Sequence, residues 1–248
     1  MEARKFASTG FPARAVPLVN NGPVARTDAV PVNGRSGLLA QGLVPVVNWG
    51  LRALPPFTQH FAETTVSVID AQDAAARAGL VDVLSLARPP ERGSLHFGAT
   101  NLAGLGPEAL RNWRRRNFRF VPAIDQMAPR QTAMQALQQA AAEGEPQIAI
   151  PRAIELLGRL GMSRRLAVRA DMLAPADRKI VTLVQALCVA PRVIVLDSPT
   201  EGMPPMLATK IARTLCHYAR GRRATVICLS QDPTIKGLAD VSIRYDPA

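Results

Sequence analysis

The chain has 248 residues, 30 of them Lys or Arg against 19 Asp or Glu, for a formal net charge of +11. With 48% hydrophobic residues it can bury a sizeable core, which excludes a wholly disordered chain and suits one large α/β domain or two small ones. Aromatics make up only 4%, and Ala, Val and Leu carry the apolar content, which favours helices packed on a parallel sheet over an aromatic-rich β-barrel.

The positive charge has two readings. One is an acidic partner, either nucleic acid or an anionic membrane face. The other, preferred here, is compositional: the only lysines are Lys5, Lys179, Lys210 and Lys236, and richness in Arg, Ala and Pro reflects a GC-rich genome. Cys188, Cys216 and Cys228 form no Cys-x-x-Cys pair and stand among apolar neighbours. They read as buried free thiols in a reducing compartment, not as a disulfide framework or zinc site. His60, His96 and His217 are scattered singly, which argues against a metal centre. The stretch nearest to a membrane span, residues 37–56, is broken by Gln41, Pro45, Asn48, Gly50 and Arg52. No apolar core follows Arg4 and Lys5, so the start does not read as a secretory signal, and membrane association is expected through a partner.

In chain order, residues 1–60 are rich in Pro, Gly, Asn, Val and Arg. The first dozen are expected to be disordered. Turns are predicted at Asn20-Asn21-Gly22-Pro23, Asn33-Gly34 and Leu54-Pro55-Pro56. The short apolar runs at 15–19 and 44–47 contain prolines, which confines them to edge strands. Residues 65–70 read as a strand and 71–87 as a helix closed by Arg88-Pro89-Pro90. A short strand or turn at 94–98 precedes a helix over 107–116 with Pro107 in its first turn. Residues 118–122 alternate like a strand. Helices are predicted over 132–142, ended by Gly144 and Pro146, over 151–160, and over 178–189. A strand over 193–197, a helix over 206–220 stopped by Gly221, a strand over 224–230, a short helix from Thr234 and a closing strand over 241–245 complete the chain.

The most informative stretch is Val193-Ile194-Val195-Leu196-Asp197-Ser198-Pro199-Thr200. A buried parallel strand there delivers a carboxylate to the carboxyl edge of the sheet, where α/β proteins place ligands. Upstream lie Leu173-Ala174-Pro175-Ala176-Asp177 and a helix running to Ala186-Leu187, and downstream Ser230-Gln231-Asp232. In this order and over about residues 66–244, the chain resembles the nucleotide-binding subunit of an ABC transporter, in flavour those of lipoprotein-releasing and lipid-trafficking systems. The resemblance implies an α/β, P-loop NTPase-like ABC ATPase fold: a parallel-sheet core, a small antiparallel portion built largely from the N-terminal region, and a helical subdomain inserted at about 118–178. It divides the chain into an extension at 1–60 and an ATPase-like domain at 61–248.

The departures from the family pattern carry the functional expectation. The resemblance places the phosphate loop at 71–79, where both glycine positions are alanine, Arg77 replaces the lysine and Ala78 replaces the Mg²⁺-binding hydroxyl. Each alanine adds a Cβ where close phosphate approach is wanted, and Asp73 adds a negative charge. Alanines favour helix, so this stretch is expected to be an ordinary helix with an extra turn. The signature loop is Leu173, Ala174, Pro175, Ala176 and Asp177, with a donor deleted by proline; Asp177 reads as a helix-start residue. Ala123 takes the Q-loop glutamine position, with Gln126 its replacement if the register slips by three. Asp197 survives as the Mg²⁺-side acid, Ser198 stands where a catalytic glutamate belongs, and Gln231 replaces the switch histidine.

No catalytic residue, metal ligand or cofactor is therefore expected, with ATP–Mg²⁺ bound only if weak binding through Arg77 and Asp197 is retained. The expected role is a catalytically degenerate structural or regulatory subunit, cytoplasmic and peripheral on the inner face of the membrane. Its partners would be a transmembrane permease subunit and either a second, active ATPase subunit or a second copy of itself. The alternative is an ATPase that binds nucleotide weakly or is active. A third reading, nucleic-acid association, comes from Arg111-Asn112-Trp113-Arg114-Arg115-Arg116-Asn117-Phe118-Arg119, where an aromatic interleaves with arginines. For that cluster a solvated helix face ranks first, contact with a membrane subunit or lipid second, and nucleic acid third.

Overall fold

The computed structural model describes residues 18–20, 36–46 and 54–246. The predicted disorder of the first dozen residues and the turns at Asn21–Pro23 and Asn33-Gly34 lie outside the described residues. In chain order the elements are β1 (Leu18–Asn20), β2 (Gly37–Val44), β3 (Phe57–Ala62), β4 (Val66–Asp70), α1 (Ala74–Leu84), β5 (Arg92–Phe97), β6 (Thr100–Asn101), α2 (Pro107–Asn117), β7 (Phe118–Val121), α3 (Ala133–Ala141), α4 (Pro146–Arg159), α5 (Pro175–Cys188), β8 (Val193–Asp197), α6 (Pro205–Arg222), β9 (Thr225–Leu229), α7 (Pro233–Leu238) and β10 (Val241–Arg244).

Two sheets organise them. The larger has six strands in the order β1-β10-β4-β9-β8-β7, all paired in parallel. The smaller is antiparallel, in the order β3-β2-β5-β6. It draws β2 and most of β3 from the first 60 residues and β5 and β6 from beyond them, and the predicted division at 60–61 falls inside β3.

Alternation along the central strands explains why the parallel sheet is covered on both faces. Val66, Val68, Ile194, Leu196, Val226 and Cys228 share one core with α3, α4, α5 and α6. Their neighbours Ile69, Val193, Val195, Ile227 and Leu229 share the other with α1 and the antiparallel sheet. In α1 the helical spacing of Ala76, Leu80, Val83 and Leu84 supplies the matching apolar face.

Several boundaries differ from the sequence expectation. β2 was not predicted, because Gly42 (φ +56°) and Gln41 interrupt its pattern at a bulge; a Cβ on the facing Gly93 would sit 2.3 Å from the Gly42 carbonyl oxygen. α1 begins at Ala74, not Ala71, since Asp73 caps it, and it ends at Leu84, ahead of Arg88-Pro89-Pro90. α4 begins at Pro146, which opens this helix as its first residue; Pro151 lies inside it. α5 likewise starts at Pro175, three residues before the predicted Arg178. α6 runs through Gly221 and stops where Arg223 turns left-handed (φ +52°).

Candidate functional site

The parallel sheet brings three strand ends together at its carboxyl edge. β4 delivers Asp70 and the turn Ala71–Asp73, β8 delivers Asp197 and Ser198, and β9 delivers Ser230, Gln231 and Asp232. One turn into α1, Arg77 reaches back across 120 residues of sequence, its Nη2 lying 2.5 Å from Asp197 Oδ1. The same guanidinium donates to Ser198 Oγ, and Ser198 Oγ donates to Asp197 Oδ1 at 3.2 Å. Ser198 is buried in a left-handed conformation (φ +50°), which turns its side chain back onto the pair. Cation, acid and hydroxyl thus satisfy one another. The two charged side chains are 24% and 18% exposed, sheltered enough that losing either partner leaves a poorly solvated charge.

Beside this cluster opens a cleft of about 360 Å³, with Arg77, Ser198, Thr200, Met203, Gln231 and Asp232 among its walls. Gln231 Nε2 donates to the Ala71 carbonyl at 3.0 Å, so Gln231 tethers the turn before α1. Asp232 caps α7 through the Thr234 amide at 2.8 Å. Burial works against its ionisation, but the nearby Thr200 hydroxyl and the hydrogen bond from the Thr234 amide outweigh it and hold the carboxyl below the usual aspartate range.

The amides at the start of α1 are occupied from within the chain. Asp73 accepts from the Ala76 amide at 2.7 Å. Asp246, just past β10, accepts from the Gln72 amide at 2.8 Å and from Arg244 Nε at 2.8 Å. Burial opposes the Asp246 charge, yet the Arg244 hydrogen bond and the Gln72 amide leave its carboxyl below the usual range. Gln72 Nε2 donates to Asp70 Oδ1 at 2.7 Å, and Lys236 pairs with Asp70 Oδ2. None of Asp70, Asp246 and Lys236 stood out in the sequence. Their roles depend on β10 lying beside β4, with Arg244 opposite Asp70, a pairing that no local pattern encodes.

The remaining sequence candidates separate. Ala78, next to Arg77, is exposed and offers no hydroxyl. Leu173 is buried, Ala174 occupies the N-cap of α5 without a side-chain hydrogen bond, Pro175 is its first residue, and Ala176 is half-buried. Asp177 lies in the first turn of α5, as expected of a helix-start residue, is 9% exposed, and pairs with Arg165. Ala123 is half-buried and Gln126 exposed. The charged group at work in that segment is Asp125, which the sequence reading missed: it accepts from Arg178 Nε at 3.0 Å, while Arg178 Nη1 donates to the Leu173 carbonyl at 2.9 Å. This links the strand-β7 exit to the start of α5.

Solved structures match this architecture. The chain superposes on MJ0796, a bacterial ABC transporter cassette seen as a dimer, with a TM-score of 0.74 at 17% identity over 84% of this chain and 94% of that one. It superposes equally on cbiO1 from Clostridium perfringens, with a TM-score of 0.74 at 18% identity over 87% and 88%. The chain has the ATP-binding cassette fold. No family model matches the chain. Among curated relatives it is 26% identical to the lipoprotein-releasing system ATP-binding protein LolD of Cereibacter sphaeroides, over 84% of this chain and 96% of that protein. It is 27% identical to the phosphonates import ATP-binding protein PhnC 2 of Roseobacter denitrificans, over 68% and 67%.

Proposed function

We propose that the chain is the cassette subunit of a membrane transporter and that it serves its complex without hydrolysing ATP. The transporter assignment is supported by the fold and by relatives named as ATP-binding proteins of lipoprotein-releasing and import systems. The observation that carries the second half is the Arg77–Asp197–Ser198 cluster. Phosphoryl transfer is positioning plus charge stabilisation, supplied by a metal ion and a cradle of donors. Here the acid expected to face Mg²⁺ is paired with Arg77, Ala78 brings no hydroxyl, and the Gln72 and Ala76 amides already donate to Asp246 and Asp73. Ser198 has no basicity with which to activate water. These residues do not fit a magnesium-bound triphosphate.

In this reading the subunit docks on a transmembrane permease at the inner membrane face and pairs with a second cassette, active or identical. No described helix is long and apolar enough to cross a membrane itself. A second reading, weak nucleotide binding, rests on the cleft of about 360 Å³ open beside Arg77. Two measurements decide. Phosphate release by the purified chain is expected at background, and turnover abolished by Asp197→Asn would overturn the proposal. Equilibrium titration with ATP–Mg²⁺ is expected to show no saturable binding, whereas saturation without turnover would establish the second reading. Co-purification from solubilised membranes is expected to bring down a permease.

A further inference from the structure

The arginine cluster at 111–119 divides into two groups by what each side chain touches. Arg114 is turned inward: it donates to the Leu86 carbonyl at 3.3 Å, and its guanidinium lies 5.8 Å from the Phe118 ring centre. Arg119 closes the C-terminal end of α2, donating to the Arg115 carbonyl at 3.0 Å and the Phe118 carbonyl at 2.8 Å, and pairs with Glu143 at 3.1 Å. Both are accounted for by the fold. Arg111, Arg115 and Arg116 are exposed and have no acidic partner among the described residues. Arg115 and Arg116 gain from the negative end of the α2 dipole, but Arg111, in mid-helix, does not. Arg111 and Arg115 stand four residues apart on one stripe, where like charges repel. Glu108, exposed one turn before Arg111 on the same side of α2, offsets part of that repulsion and leaves the face net positive.

We infer that the exposed side of α2, where Arg111 and Arg115 form one stripe and Arg116 lies about 100° round the helix from Arg115, is a docking surface for the anionic headgroups of a lipid bilayer. Charge complementarity is the attraction, each arginine near an anionic surface adding a modest increment. Two observations favour lipid over nucleic acid. Trp113, the aromatic that would offer bases a stacking platform, is packed edge-on against Phe97 at 5.4 Å and tilted against Phe118 at 6.4 Å, so its ring is spent inside the fold. The surface is also short, spanning about 7.5 Å of helix axis from Arg111 to Arg116. That matches a cluster of headgroups rather than a groove tracking a phosphate backbone. The inference goes beyond the transporter reading and does not rest on it, since it is carried by α2 alone.

The test is flotation of the full chain with vesicles of phosphatidylcholine, with and without phosphatidylglycerol. The wild type is expected to float only with the anionic vesicles and to be released by salt. Each Arg→Gln change should weaken partitioning roughly five-fold and the triple variant R111Q/R115Q/R116Q roughly a hundred-fold. The triple variant R111K/R115K/R116K should retain binding, because it keeps the charge. R159Q/R222Q, which alters exposed arginines of α4 and α6, should bind like the wild type. Glutamine is a good helix former, and an unchanged circular dichroism spectrum and melting temperature would show that the fold is intact. Absence of flotation by the wild type, or wild-type flotation by the glutamine triple variant, would overturn the inference. So would release from the vesicles by a slight excess of duplex DNA, which would reassign the surface to nucleic acid.

Discussion

The interior of the parallel sheet and its carboxyl edge obey different rules. Inside, Val68, Val195, Ile227 and Cys228 are fully buried, and any β-branched or similar apolar residue of that volume would serve. At the edge a few residues, each with a named partner, decide what the loops do: Arg77 with Asp197 and Ser198, Gln231 with Ala71, Asp246 with Gln72. The interior explains why an architecture survives at 17% identity to a solved cassette. The edge explains why the same architecture need not keep the same chemistry. A fold is a volume constraint spread over many side chains, whereas a site is a geometric constraint on a handful.

The largest effect should come from the interior. Ile227, fully buried and flanked in register by Ser67 of β4 and Val195 of β8, is expected to cost about 2–5 kcal/mol when truncated to alanine. Urea unfolding checks this, and a cost well below 1 kcal/mol would mean that the sheet interior tolerates cavities and that the contrast with the edge is misplaced.

Next comes the pair that defines the edge. Arg77→Ala should destabilise by about 1–3 kcal/mol, because Asp197, 18% exposed, loses its cation and keeps only the Ser198 hydroxyl. Asp197→Asn should cost less, since the amide still accepts a hydrogen bond. The double variant should fall short of the sum of the two. Strict additivity would show the pair to be solvated and energetically idle, and would remove the main support for a self-satisfied site. Smaller again is the N-cap: Asp73→Ala should cost about 1 kcal/mol through the lost bond to the Ala76 amide, and Asp73→Asn much less.

The same contrast governs what could be read from the chain before its structure. The interior strands were legible because Val193–Leu196 and Val226–Leu229 are unbroken apolar runs, and the acid after the first announces an edge. Asp197, Ser198, Arg77 and Gln231 could be located by their order along the chain. Their partnership could not, because residues 77 and 197 meet only once β4, β9 and β8 are side by side. Asp125 and Asp246 lie in segments with no periodicity, and Arg178 and Lys236 lie in helices whose pattern says nothing of their partners. The early start of α4 was hidden by Pro146, which stops a helix when read from one side and starts one when read from the other. β2 was hidden by the bulge at Gly42.

The smallest expected effect concerns pH, and it tests whether Asp246 belongs to the edge network. Its folded carboxyl lies below the ordinary aspartate value of 3.8: burial opposes the charge, and the Arg244 hydrogen bond with the Gln72 amide more than compensates. A carboxyl depressed on folding contributes stability above its unfolded value, and that contribution disappears as pH falls through the lower folded value. Asp246→Asn retains an acceptor for the Gln72 amide but carries no charge to protonate. It should therefore be slightly less stable than the wild type at neutral pH and indistinguishable from it only in acid, once pH has fallen through the lowered folded value and the wild-type carboxyl is also neutral. Asp232, depressed through Thr200 and Thr234 despite burial, should follow the same course in Asp232→Asn. Urea midpoints compared at the two pH values give the answer. A deficit in Asp246→Asn that persists unchanged into acid would place its role in shape rather than charge, and the occupied amide of Gln72 would then owe nothing to electrostatics.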